Sequence, residues 1–132
     1  MARAVIEAEA RARQGAPTWV YQLDYSSRGE GARYGAFHML DIPLVFANTA
    51  AEGADTGDDE AARAMAARMS DALLRLARMG DPNGGALPAW PQHELVRRET
   101  MMFDVTTRAE ADPRGEERRF FGVAPYIQPG TY

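Results

Sequence analysis

Gly35-Ala36-Phe37-His38-Met39-Leu40-Asp41-Ile42-Pro43-Leu44-Val45-Phe46-Ala47-Asn48 is the stretch around which the rest of the chain is read. It holds one of the two histidines, after a small flexible pair and before a short apolar run that Pro43 interrupts. Gly35 and Ala36 let backbone pass close to a neighbour, and the imidazole that follows can titrate near neutral pH. Asp41, three residues on, is placed either to orient that ring or to cap the short helical turn that Pro43 would start. From the residues alone both uses of His38 stay open, a hydrogen-bonded surface residue and a proton-transfer group. A lone loop histidine is more often the first.

Working back toward the N-terminus, Ser26 to Arg33 is a polar connection that bears glycine. Before it, Thr18 to Tyr25 alternates, with Trp19, Tyr21, Leu23 and Tyr25 on one face and Val20 and Gln22 on the other. Aromatic and β-branched residues at period two predict a strand, and its aromatics, Tyr21 and Tyr25 included, read as core. Residues 2–14 are strong helix formers closed by Gly15 and Pro17, which predicts a helix covering the sheet.

Working forward, Ala50 to Asp59 is small and acidic and reads as a surface loop. A helix is predicted over about 59–79. Ala62, Met65, Ala66, Met69, Leu73 and Leu76 share its apolar face, and Arg63, Asp71, Arg75 and Arg78 lie opposite. Asp58 or Thr56 is placed to cap its start, and Gly80 with Pro82 to stop it. The methionine stripe is core packing rather than a metal or cofactor box. Thr100 to Val105 predicts a second strand in the same sheet, residues 106–119 a loop opening a charged helix, and Phe120 to Tyr132 an extended tail.

These segments together resemble a known family. Gly35, Ala36, His38, Asp41, Ile42, Pro43, Val45, Phe46 and Asn48 fall on the catalytic-histidine pattern of type-B carboxylesterases, the carboxylesterase/cholinesterase-like branch of the α/β-hydrolases. Asp71-Ala72, Ala77-Arg78, Gly80, Pro82-Asn83 and Trp90-Pro91 echo the family's run after that histidine. Met101-Met102-Phe103-Asp104 resembles its closing strand. His93 stands where the family commonly has Tyr, so it carries no catalytic role and reads as surface.

The resemblance implies an α/β fold over residues 1–132, the C-terminal portion of an α/β-hydrolase. Its expected order is helix, strand, histidine loop, long helix, closing strand and C-terminal helix. In such enzymes a serine attacks the ester carbonyl, a histidine takes its proton, and an acid holds the histidine's tautomer, in the chain order Ser, acid, His. His38 is therefore the expected catalytic residue. No Gly-x-Ser-x-Gly elbow occurs here; the serines are Ser26, Ser27 and Ser70. The chain is expected to be the histidine-bearing last part of a serine carboxylester hydrolase, inactive by itself. It would meet a small-molecule ester once completed by the missing N-terminal part. The competing expectation is a non-catalytic, cholinesterase-like remnant serving as a protein-interaction module.

Composition bounds the rest. A length of 132 residues suits one domain, and 45% apolar content can supply a core. A net charge of −4 with no basic run argues against a nucleic-acid partner. Without cysteine there is no thiolate nucleophile and no Cys-based zinc site, and the Asp58-Asp59-Glu60 cluster lacks the spacing of a calcium loop. No metal or other cofactor is expected. No apolar run approaches the ~20 residues that cross a bilayer, and no signal core is present, so a soluble protein, cytoplasmic or secreted, is expected. An uncovered edge on the 18–25 strand would favour self-association and marginal stability.

Overall fold

The computed structural model describes residues 2–28 and 30–123. A helix, α1 (Ala2–Arg13), precedes a short strand, β1 (Tyr21–Leu23). A 3-10 turn at Glu30–Tyr34 leads to the short helix α2 (Asp41–Val45) and the long helix α3 (Glu60–Met79). Strands β2 (Glu99–Phe103) and β3 (Arg108–Ala111) and helix α4 (Gly115–Gly122) complete the order. The sheet runs β1-β2-β3. β1 lies parallel to β2 with Tyr21 beside Met101 and Leu23 beside Phe103, and β2 pairs antiparallel with β3.

The predicted strand is shorter than its alternating stretch. Val20 still accepts from Met101 N at 2.9 Å, and both Asp24 N and Tyr25 N converge on Phe103 O at 2.9 Å. Because β2 ends at Phe103, residues beyond Leu23 have no ladder to continue. β3 was not expected, since Arg108-Ala109-Glu110-Ala111 has neither β-branched nor aromatic residues. Its antiparallel pairing to the fully buried β2 overrides that local preference. Residues 120–122 continue α4 rather than an extended tail, and residues 124–132 of that predicted tail lie outside the described residues.

The core lies between α3 and the sheet face carrying Tyr25, Met101 and Phe103, with Trp19 and Leu23 packed against it. Met65, Ala66, Met69 and Ala72 bury into it, and the Trp90 ring meets Phe103 edge-on at 5.7 Å. Leu73 and Leu76, expected in that face, are 42% and 36% exposed. Both line an unfilled cavity of about 190 Å³ together with Trp19, Tyr21, Trp90 and Phe103, so they sit on the sheet side of α3 without being closed over. On the other face Val20, Gln22 and Thr100 line a cleft of about 340 Å³ with Ala4 and Ala8 of α1 and Arg118 of α4.

The caps also differ from expectation. Asp59, in extended conformation, accepts from Ala62 N at 2.8 Å and is the N-cap of α3, whereas Thr56 is buried and donates to Gly57 O. Gly80 closes the helix in the left-handed region (φ 72°), as the sequence predicts. Near the end of the helix the Arg75 Nε donates to Asp71 Oδ2 at 2.8 Å.

Candidate active site

The loop after β1 turns back at once. Ser27 N donates to Gly35 O at 3.3 Å, which holds Gly35 beside the carboxyl end of the strand. Gly31 is buried in that return, and a Cβ there would sit 2.9 Å from the Phe37 ring and 3.1 Å from Asp55 Cβ. Only glycine lets Phe37 settle against the loop, where it also meets Tyr34 edge-on at 6.2 Å. The chain reverses over Phe37–Leu40, with Leu40 N donating to Phe37 O at 3.2 Å. Met39 occupies the left-handed region (φ 73°), a conformation that costs a non-glycine residue about 1 kcal/mol. Leu40 is wholly buried, and Leu44 anchors α2 in the core.

His38 therefore rides between two inward anchors, and its side chain is exposed. Among the described residues no hydrogen bond or ion pair engages its ring. Asp41 is the first residue of α2 but not its cap. Leu40 holds the N-cap position without a side-chain bond. The Asp41 carboxylate is bonded elsewhere, with Oδ2 accepting from the Tyr21 hydroxyl at 2.8 Å.

Tyr21 is 41% exposed rather than core, and its ring leans edge-on against Phe103 at 5.8 Å. Partial burial, then the hydrogen bond and negative charge of Asp41, push its phenol well above the usual range. It stays a donor at any physiological pH. Tyr25, by contrast, is core as expected.

None of the serines meets His38. The Ser27 hydroxyl is buried and donates to Asp55 O, Ser26 is exposed, and Ser70 lies inside α3. His93, expected on the surface, is buried. Its backbone N donates to Thr18 O at 2.7 Å, its Nδ1 lies 3.0 Å from Glu99 O, and its Nε2 is enclosed without a protein partner. It staples the approach to β1 onto the start of β2, a role its polar neighbours Gln92 and Glu94 concealed. Asp58 and Asp59 are both engaged within the fold. Asp58 accepts from Thr49 Oγ1 at 2.6 Å and Arg63 Nη1 at 3.2 Å, and Asp59 caps α3. Among the described residues no group of three or more acidic, His or Cys side chains is placed to hold a metal ion. No helix of the described residues is long and apolar enough to cross a membrane.

A bovine (Bos taurus) carboxylesterase 4A is 27% identical over 110 residues, which is 81% of this chain and 19% of that protein. The solved structure of the Geobacillus stearothermophilus carboxylesterase EST55 superposes with a TM-score of 0.76 at 36% identity, over 87% of this chain and 24% of its own. A PNB esterase superposes with a TM-score of 0.74 at 29% identity, over 88% of this chain and 23% of its own. The chain thus spans less than a quarter of the length of each. Its small mixed sheet with helices on both faces is part of the α/β-hydrolase fold of these esterases. The sequence model of the carboxylesterase family matches residues 2–121, and the chain belongs to that family.

Proposed function

We propose that this chain is the histidine-bearing segment of a serine carboxylic-ester hydrolase, with His38 as general base. The nucleophilic serine and the triad acid would come from polypeptide outside these residues. His38 would take the serine's proton as the hydroxyl attacks the ester carbonyl, then return it to the departing alcohol. The acid would hold the imidazole in the required tautomer.

The observation that carries this proposal is the setting of His38. Its side chain is exposed on a turn pinned on both sides, beside the carboxyl end of β1, with no protein partner among the described residues. A base that must reach a proton on another segment needs an anchored backbone and a free ring. The other bases and hydroxyls offer less. His93 is buried, Ser27 is turned inward, and Asp41 is engaged by Tyr21.

The test is hydrolysis of a simple aryl ester by these residues alone and by the polypeptide that also carries the serine segment. Alone, the rate should match that of free imidazole. In the longer polypeptide His38→Ala should lower kcat by several orders of magnitude. It should change folding stability by less than about 0.5 kcal/mol, because an exposed side chain is removed. Robust hydrolysis by these residues alone, abolished by Ser26→Ala or Ser27→Ala, would overturn the proposal. So would full activity of the longer polypeptide carrying His38→Ala.

A further inference from the structure

His38 is held by more than its own turn. The turn has two legs, and they are fixed by different means. The incoming leg is set by Ser27 N on Gly35 O and by Phe37 packed over Gly31. On the outgoing leg Leu40 is buried, but the next residue begins α2 with no side-chain cap to fix its first turn. Leu44 anchors α2 in the core, and the side-chain tie from its first residue to the sheet is the bond from the Tyr21 hydroxyl to Asp41 Oδ2, spanning 20 residues of sequence. Tyr21 is itself fixed, since β1 is paired to β2 and the ring rests edge-on against Phe103.

We propose that Tyr21 and Asp41 form a positioning pair that sets the distance between the His38 turn and the sheet, rather than Asp41 acting on the imidazole directly. This rests on His38 being the base. The phenol's strong hold on its proton keeps the bond donor-to-acceptor across the working pH range. Met39, between His38 and that bond, is held in the left-handed region. A turn holding a non-glycine residue in that region relaxes when a restraint is removed, and the residue carried just before it moves. Displacement of a base by even a fraction of an ångström lowers the rate of proton transfer while leaving substrate affinity alone.

The experiment is a double-mutant cycle in the esterase polypeptide that carries both this segment and the serine. Tyr21→Phe and Asp41→Ala should each lower kcat about tenfold with KM unchanged, and the double variant should fall no further. Asp41→Asn, whose amide oxygen still accepts from the phenol, should stay within about threefold of wild type. Its acidic limb in the kcat/KM profile should not move, because Asp41 bonds Tyr21 and not the imidazole.

Additive losses in the double variant would overturn the proposal. So would a silent Tyr21→Phe, or Asp41→Asn as damaging as Asp41→Ala with the acidic limb shifted downward, the signature of a carboxylate paired to the imidazole. Melting curves of each variant separate lost positioning from lost folding, and loss of kcat that merely tracks loss of folded protein also counts against it. His38→Ala in the same background tells the two proposals apart. If that variant is fully active the assignment of the base fails, whereas if it is dead and Tyr21→Phe is silent only the positioning pair fails.

Discussion

Asn83→Ala should cost about 2 kcal/mol of stability, and the figure follows from how one side chain satisfies one peptide unit's neighbours. Asn83 Nδ2 donates to Trp90 O at 2.9 Å, and Asn83 Oδ1 accepts from Trp90 N at 2.7 Å. Trp90 is 6% exposed and stacks edge-on against Phe103, so its backbone is held where the core needs its ring. Alanine removes the two bonds to Trp90 at about 1 kcal/mol net each, while the exposed third bond from Asn83 Nδ2 to Asp81 Oδ1 adds little, and partial access of water keeps the stranded N–H and C=O from costing the full ~1–3 kcal/mol apiece. In urea, with a slope of about 2 kcal/mol per molar, the unfolding midpoint should fall by roughly 1 M, followed by far-ultraviolet circular dichroism. Asn83→Asp is the sharper variant. It keeps the acceptor for Trp90 N but sets a carboxylate against Trp90 O and beside Asp81, which already accepts from Asn83. The folded state would raise that new carboxyl's pKa, so the variant should regain stability relative to wild type as the pH falls toward about 4. A midpoint shift below about 0.3 M for Asn83→Ala at unchanged slope would refute the reasoning, since the freed peptide groups would then be hydrated at no cost.

Two further outcomes are expected. The Arg118 guanidinium, bonded to Asp112 through Nε at 3.0 Å and Nη2 at 2.8 Å, holds that carboxyl below its usual range, with Arg98 and Arg119 adding to the effect. A depressed folded-state pKa stabilises above the unfolded value and the benefit is lost on acidification, so the stability gap between wild type and Asp112→Asn should be full above about pH 4 and close below it, by urea titrations across that range. The free edge of β1 should make the isolated chain associate; sedimentation velocity over a tenfold micromolar range should show concentration-dependent species, and a single monomer throughout would count against it.

Where a sequence pattern answered to one dominant force, the structure follows it. Met65, Ala66 and Met69 bury because their spacing places them on one side of a helix that has a sheet to lie on. Leu73 and Leu76 keep the same spacing but border an unfilled cavity shared with Trp19, Tyr21 and Phe103, so they stay partly exposed. Periodicity names a face, and what packs opposite decides how much of it is covered. β3 was illegible for the opposite reason, since its residues carry no strand preference and only the neighbouring β2 makes them one. At the candidate site the exposed histidine and its glycine-dependent loop were legible, Gly35 at φ 62° included. The partner of Asp41 was not. Tyr21 sits in an alternating aromatic run that reads as core, and a contact spanning 20 residues leaves no trace in local spacing. His93 was misread because Gln92 and Glu94 look solvated, while the ring between them turns inward to Glu99 O.

The two edges of the sheet are built differently, and the difference bears on the site. β3 presents Arg108 and Glu110, whose side chains pair at 2.5 Å along the strand, and charges on an outer strand discourage further pairing. β1 has no such guard. Val20 O and Asp24 N bond toward β2, so by alternation the peptide groups of Tyr21 and Leu23 face the open side. Apolar residues lie on both faces of that strand, Val20 on one and Trp19 and Leu23 on the other, which is the composition of an interior parallel strand rather than an edge. Tyr21 thus belongs to two things at once, the unpaired edge and, in our proposal, the support of His38. A strand added beside β1 would hold the Tyr21 backbone from its open side as well and, through Asp41, bear on the turn that carries His38. On the proposed function, a polypeptide that supplied both that strand and the serine would close the edge and give His38 its nucleophile in a single event, and the proposed base would be held most firmly when its nucleophile is present.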